Sequence, residues 1–321
     1  MLQYLIRRIL WACVLFIVIT MVAYVIFFII PADPAQLACG QRANAACIKN
    51  AENNLGLNKP VYVQYGRFLW KLVVHHNLGK SYFNRQSVNK TVMNAAPVTA
   101  SLVLGGAVLW MLIALPIGIL SALRPRSLLD RIAMVFVLIG ISAHPVWIGL
   151  ILSYVVGFRL GWTPITGYCD FFNPSTSCGG PVQWAWHMIL PWITFAILFA
   201  ALYVRMIRAN VMETSNEDYV RTARAKGAPE WVVIRSHILR NALLPVVTML
   251  GMDIGVALGG AIFTETIFSL PGLGQSALVA ITNFDLPTVQ GIVVFATIAI
   301  IGFNLLVDLL YAVIDPRIRL S

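Results

Sequence analysis

Long apolar runs alternate with shorter polar stretches along this chain. Residues 9–30, 97–123 and 286–307 contain no Asp, Glu, Lys, Arg or His. Among those residue types, 132–158 carry His144 alone, 182–204 carry His187 alone, and 241–264 carry Asp253 alone. Each run meets the roughly 20 residues that a helix needs to cross a hydrocarbon core. The pattern therefore predicts an all-α integral membrane protein with six transmembrane helices. His144-Pro145 predicts a kink in the third, because proline removes a backbone donor and crowds the preceding turn. His144 itself is expected as a neutral histidine inside the bundle. The first run follows Arg7 and Arg8 as a signal peptide would. It is longer than an h-region, however, and Pro31-Ala32-Asp33 lacks a small-x-small cleavage pattern, so it reads as a retained span.

The polar stretches have patterns of their own. Val61, Tyr65, Phe68, Leu69 and Leu72 recur at helical spacing, with Arg67 and Lys71 off the stripe, which predicts an amphipathic helix beside the first span. Residues 87–96 are a second helical candidate leading to Pro97. Residues 216–245 read as two short helices broken at Gly227-Ala228-Pro229. Glu217 and Asp218 stand in the first turn, where the helix dipole favours negative charge. Gly227 supplies a turn that a side chain would resist, and Pro229 is placed to open the next helix. Ala223, Ala225 and Gly227 keep part of this surface small, and Arg221, Arg224 and Lys226 make its rim cationic. Such a helix suits insertion into a cleft on another protein; the competing reading is a solvated basic connector.

Composition changes the picture in one respect. At 59% hydrophobic and 11% charged residues, with mean hydropathy +0.80, the chain is far from a soluble domain, which carries about 25% charged residues. A net charge of +10 in a soluble protein would suggest nucleic acid; here its placement reports orientation instead. Arg7, Arg8, Arg124, Arg126, Arg131, Arg205, Arg208, Arg221, Arg224, Lys226, Arg235, Arg240, Arg317 and Arg319 fall on one side if the termini share it. The two short loops opposite hold only Arg159. The basic residues of 31–96 do not overturn this, because long segments cross largely regardless of charge. Both termini and 209–240 are expected in the cytoplasm, with 31–96, 159–181 and 266–285 outside.

Cysteines agree with that sidedness. Cys39 and Cys47 share one outer segment, and Cys169 and Cys178 share another, which suggests Cys39–Cys47 and Cys169–Cys178 disulfides on the oxidising face. Free thiols, or cross-pairing between the two loops, are also open at this level. Cys13 reads as a small apolar filler. No metal site is expected: neither spacing is CxxC, and His75-His76 reads as surface.

Candidate chemistry is sparse. There is no G-x-x-x-x-G-K-[ST], and no Lys follows Gly272-Leu273-Gly274-Gln275 to reach a phosphate. That segment reads as a turn, with Glu265 nearby expected in solvent. Asp253, midway along the fifth span, is too costly to face lipid. It is expected either to line a path for an amine or other cation, or to be held by interhelical hydrogen bonds. Gly255 and Gly259, four apart beside it, suit close helix packing against the same helix of a second, similar subunit. Asn304 and Asp308 form a polar stripe on the last span. Trp162, Trp184, Trp186 and Trp192 read as an interfacial aromatic belt.

The segment DYVRTARAKG followed by HILRNALLPVVT resembles the cytoplasmic loop of ABC-importer permeases of the dipeptide, oligopeptide and nickel branch. In that family an E-A-A-x-x-x-G pattern docks on the ATP-binding subunit. Aligned on Gly227, its leading positions fall on Arg221, Thr222 and Ala223, and only the second alanine is retained. The opening YLIRRIL, then LGLNKPVYVQY, NLGKSY, TETIFSLPGLGQ and LLYAVIDPRIR, resemble the same branch in the same order. The resemblance implies the type I ABC-importer permease fold, with an N-terminal span and extracytoplasmic segment over 1–96 and a five-helix core over 97–315. It implies a multi-pass subunit in the cell membrane that is not itself an enzyme and binds no cofactor. Tyr219, Arg221, Thr222, Ala223, Arg224, Lys226 and Gly227 become its ATPase-coupling residues. Implied partners are a second permease, two cytosolic ATPases that use ATP and Mg, an extracytoplasmic substrate-binding protein and membrane lipid, with no nucleic acid. The substrate implied is a peptide, with a nickel chelate as the alternative. A stand-alone channel or secondary transporter is the rival of another class, to which only Asp253 points.

Overall fold

The computed structural model describes residues 2–26, 34–39, 44–46, 48–49, 52, 59–171 and 178–314. Among them the chain is helical, with two isolated bridges and no strand. α1 (Leu2–Tyr24) is followed by a single turn, α2 (Pro34–Cys39), and by α3 (Val61–His75). α4 (Val88–Leu123), α5 (Leu128–Ser142) and α6 (Pro145–Leu152, continuing as a π-helix over Ser153–Arg159) come next. α7 (Pro181–Ser215), α8 (Asp218–Ala225), α9 (Glu230–Ala242) and α10 (Leu244–Ala257) lead to α11 (Ile262–Ile267), α12 (Leu273–Thr282) and α13 (Leu286–Ile314).

The six expected spans appear as four unbroken helices, α1, α4, α7 and α13, and two bent pairs. α5 and α6 meet at 105° and α9 and α10 at 43°. The sharper bend has a local cause. The residue before a proline is pushed out of the α region, and His144 accordingly sits at φ −70°, ψ 137°. Its Nδ1 accepts the Val146 N–H at 3.3 Å, so it caps α6. The histidine expected inside the bundle is thus an exposed N-cap in this chain.

α4 absorbs the second expected short helix: 87–96 does not end at Pro97 but runs on through Pro97 and Pro116 as one 36-residue helix. At 1.5 Å per residue that is about 54 Å, well beyond a hydrocarbon core of about 30 Å. α4 and α7 form the most extensive helix pair. Lipid tails are as apolar as leucine, so such pairs depend on close backbone approach and shape. A Cβ on Gly105 would strike the Trp192 ring, and one on Gly106 would lie 2.7 Å from Phe195. Between the two helices Trp110, wholly buried, stacks on Phe199 with ring centroids 4.6 Å apart.

α1 is peripheral, mostly exposed and packed on α13. α3 closes over its end through Tyr65 and Thr20, whose hydroxyls are 2.9 Å apart, and through Tyr24 and buried Gln64 at 3.2 Å.

Candidate functional site

The polar segment between α7 and α10 is built around one backbone device. α8 ends with Ala228 N donating to Ala223 O at 3.2 Å and Gly227 N donating to Arg224 O at 2.9 Å. That is a Schellman cap, which requires a left-handed residue at its centre. Gly227 fills it with φ 78°. Nothing lies within 4 Å of where a Cβ would stand, so glycine is needed there for conformation alone. The Ala-x-x-x-Gly spacing runs from the residue whose carbonyl accepts the outer bond of this cap to the left-handed residue that closes it. The cap also joins Ala223 and Ala228, and both pack against the subunit's own core. Ala223 is therefore half-buried, not part of an outward small surface as the sequence suggests. The exposed face is made by Arg221, Thr222, Arg224, Ala225, Lys226 and Gly227.

Several contacts fasten this hairpin to the helices. Val220, Val233 and Ile238 are fully buried between α8, α9 and α7. Asn241 Nδ2 donates to the Tyr219 hydroxyl at 2.8 Å, and Asn210 Nδ2 donates to Ala242 O at 3.3 Å. Arg224 grips Glu230 through two hydrogen bonds of 2.7 and 3.2 Å, which closes the turn and raises the guanidinium further above its already high pKa. Just behind, Arg208 of α7 pairs with Asp130 of α5 through bonds of 2.7 and 3.0 Å. Asp130 also accepts from Ser121 of α4 and from Arg126 N at 2.9 Å. One carboxylate thus ties three helices at the base of the loop.

Asp253 is partly buried, and the Tyr203 hydroxyl of α7 donates to its Oδ2 at 2.6 Å. Its two glycine neighbours do not face a second permease. A Cβ on Gly255 would lie 3.2 Å from Ile300 Cα, and one on Gly259 would lie 3.0 Å from Ala296 Cβ. They are spent on packing α10 against α13 of the same chain, a correction to the sequence-level reading. The side chain of Asp308 lies outside the described residues.

At the opposite end, two buried carboxylates were missed or misplaced by sequence reasoning. Glu265, expected in solvent, is fully buried. It accepts from Thr99 Oγ1 at 2.7 Å and from Gln275 N at 2.9 Å, and Thr99 in turn accepts from Leu273 N at 2.8 Å. It thereby serves the open N-terminus of α12, where orphan N–H groups and the dipole favour an anion. Burial nonetheless pushes its carboxyl above the usual range, against the pull of those donors. A Cβ on Gly272 would collide with this carboxylate and one on Gly274 with Ile262. Gly272 of TETIFSLPGLGQ thus leaves the space that Glu265 occupies, and that pairing is the signal that could have located it. Asp285 is similar. It accepts from Ser81 Oγ at 2.5 Å, Tyr82 N at 2.7 Å and Thr288 Oγ1 at 2.6 Å. The NLGKSY turn is thereby pinned to the start of α13.

Cys169 and Cys178 are joined in a disulfide. Cys39 is disulfide-bonded as well, and Cys47, its suggested partner, lies outside the described residues. His187 Nδ1 approaches Cys169 Sγ at 3.3 Å, but a sulfur held in a disulfide is no thiolate and offers a metal little. Only two of the four tryptophans suit a belt: Trp162 and Trp186 are exposed. Trp184 and Trp192 pack edge-to-face at 5.1 Å, and Trp192 Nε1 donates to Ser101 O.

Residues 114–320 match the family described as binding-protein-dependent transport system inner membrane component, and residues 1–103 match the N-terminal component of such systems. The dipeptide transport system permease protein of Escherichia coli strain K12 is 38% identical, covering 99% of both chains. That of Alkalihalophilus pseudofirmus is 37% identical, covering 99% of this chain and all of the relative. A putative peptide transport system permease protein of Brucella abortus strain 2308 is 33% identical, with 98% of each covered. Among solved structures, an amino acid ABC transporter with histidines shares the fold at TM-score 0.52 and 16% identity, over 69% of this chain and 93% of that one. The chain belongs to the family of binding-protein-dependent transport system inner membrane components, as a multi-pass, non-catalytic permease subunit of an ABC importer.

Proposed function

We propose that this subunit imports peptides, forming half of a pathway completed by a second, homologous permease. The observation that carries the substrate is end-to-end similarity to dipeptide and peptide permeases, which favours peptide over a nickel chelate. Two cytosolic ATPases bind the 216–245 loops and use ATP and Mg, and an extracytoplasmic binding protein delivers the peptide. The basic residues flanking the spans support a cytoplasmic position for both termini and for Lys226. The exposed face of α8 suits a cleft on the ATPase. Its Schellman cap, its Arg224–Glu230 clasp and the Asp130–Arg208 tie beneath it make the loop a stiff lever. Closure of the ATPases on ATP moves that lever and shifts the spans between two arrangements. Asp253, held by Tyr203, supplies a polar point on the pathway wall. Reconstitution with the ATPases and the binding protein, followed by uptake of a radiolabelled dipeptide and of nickel, tests the reading. ATP-dependent dipeptide accumulation is expected; accumulation of nickel alone would reassign the substrate.

A further inference from the structure

A cleft of about 710 Å³ opens between three elements at the end of the molecule that carries Glu265. Met93, Asn94, Pro97 and Val98 of α4 form one wall, and Pro271 closes another. The third comes from the disulfide-closed loop and the start of α7, through Tyr168, Asp170, Phe171 and Trp184. The volume falls within the roughly 300–1,000 Å³ of small-molecule sites. Its chemistry is one-sided. Three aromatic rings and a single carboxylate line it, with no Lys or Arg among the lining residues. Asp170 is exposed, and no described residue forms an ion pair with its carboxylate.

The wall is also preformed. The Cys169–Cys178 bridge stands directly before Asp170, and Gly180 N donates to Asp170 O at 3.0 Å. Phe171 packs edge-to-face on Trp184 at 5.1 Å, and Trp184 likewise on Trp192 at 5.1 Å. A carboxylate beside aromatic faces attracts an ammonium group through charge and through the ring quadrupole. An acidic side chain that no described residue pairs, set beside three aromatic rings, gives this cleft a local preference for cations.

We propose that this cleft binds the ammonium group of a peptide on its way into the pathway, with Asp170 as the counter-charge and Phe171 and Trp184 as the apolar bed. The proposal rests on the peptide reading above and adds to it a second point of recognition, on the permease itself.

Saturation-transfer NMR on the full importer complex in nanodiscs, without the binding protein, tests it. The probes are alanyl-phenylalanine and its N-acetyl derivative. The free amine is expected to bind and the acetylated peptide to bind more weakly. Asp170→Asn should weaken the free amine about fivefold, the scale of a solvent-facing ion pair, and erase the difference between the probes. Asp170→Lys should remove free-amine binding. Equal affinity for both probes in the wild type, or an unchanged dissociation constant in Asp170→Asn, overturns the proposal. If Asp170→Asn leaves both probes unchanged and, in a separate titration, lowers only the complex's affinity for the binding protein, the cleft docks that protein and the proposal is equally overturned. Failure of the wild-type complex to import any peptide would instead sink the peptide reading, and the uptake assay shows that before any variant is made.

Discussion

Gly227 illustrates how a single dihedral can carry a functional element. Its left-handed backbone is the hinge of the cap, and no atom of this subunit lies within 4 Å of where a Cβ would stand, so within the subunit a substitution there acts through conformation. A residue with Cβ in this region costs about 1–2 kcal/mol, and a β-branched one more. Gly227→Ala is therefore expected to retain some of the peptide-stimulated ATPase activity, and Gly227→Val to lose most of it. Both should assemble with normal subunit stoichiometry, which pull-down of the complex checks. Equal, wild-type activity in both would mean that the cap does not transmit motion. Position 223 is a less clean probe than its spacing suggests, because Ala223→Trp would also lift the loop from its own bed. Ala225, exposed on the outward face, is the better one: Ala225→Trp is expected to block ATPase association while the subunit still folds. The glycine and its helix were legible in the sequence because turn chemistry is local. The inward direction of Ala223 was not, because an eight-residue helix admits several faces until its buried anchor, Val220, is known.

Among the helices, polar contacts at the ends matter as much as the apolar lengths between them. The Asp130–Arg208 pair is largely shielded, with side-chain exposures of 7% and 24%. Removing one partner of a shielded pair costs about 3 kcal/mol or more, so Asp130→Ala is expected to lower the thermal midpoint of the detergent-solubilised complex by several degrees. Arg208→Lys should recover only a fraction of the stability, since an ammonium cannot reproduce the two-pronged guanidinium contact. A lysine variant as stable as wild type would show that the pair is a charge contact only. Gly255 gives a second test. Its close approach to α13 means that Gly255→Leu overfills the subunit's own interior, at about 1–3 kcal/mol, and loss of the folded monomer peak in size-exclusion chromatography is the expected result. Six spans could be read from hydrophobic length alone. Which helix faced which could not: a glycine pair four apart announces close packing without naming the partner, and Glu265 reads as solvated until Thr99, 166 positions away, is placed beside it.

At the level of the whole molecule, the proposed sidedness rests on where the basic residues lie. A single cysteine at Lys226, in a background lacking the native cysteines, should react with an impermeant maleimide only after the cells are opened; labelling in intact cells would invert the topology. The architecture has a further consequence for how the chain is made. α5 alone, at 15 residues, spans about 22 Å, and α6 with its π-helical extension begins at a 105° bend. Neither half covers a bilayer of about 30 Å. A nascent chain that ended after residue 160 would have no α7 to brace the bend, and the translocon would meet 132–158 as one continuous apolar segment. The break at His144-Pro145 is local and precedes any docking, but its angle is expected to be fixed only once α7, which packs on both α5 and α6, has been made, so that the order of synthesis sets the order of shape. Truncated chains arrested before and after α7, carrying a glycosylation acceptor beyond residue 160, would reveal that maturation as a change in modification.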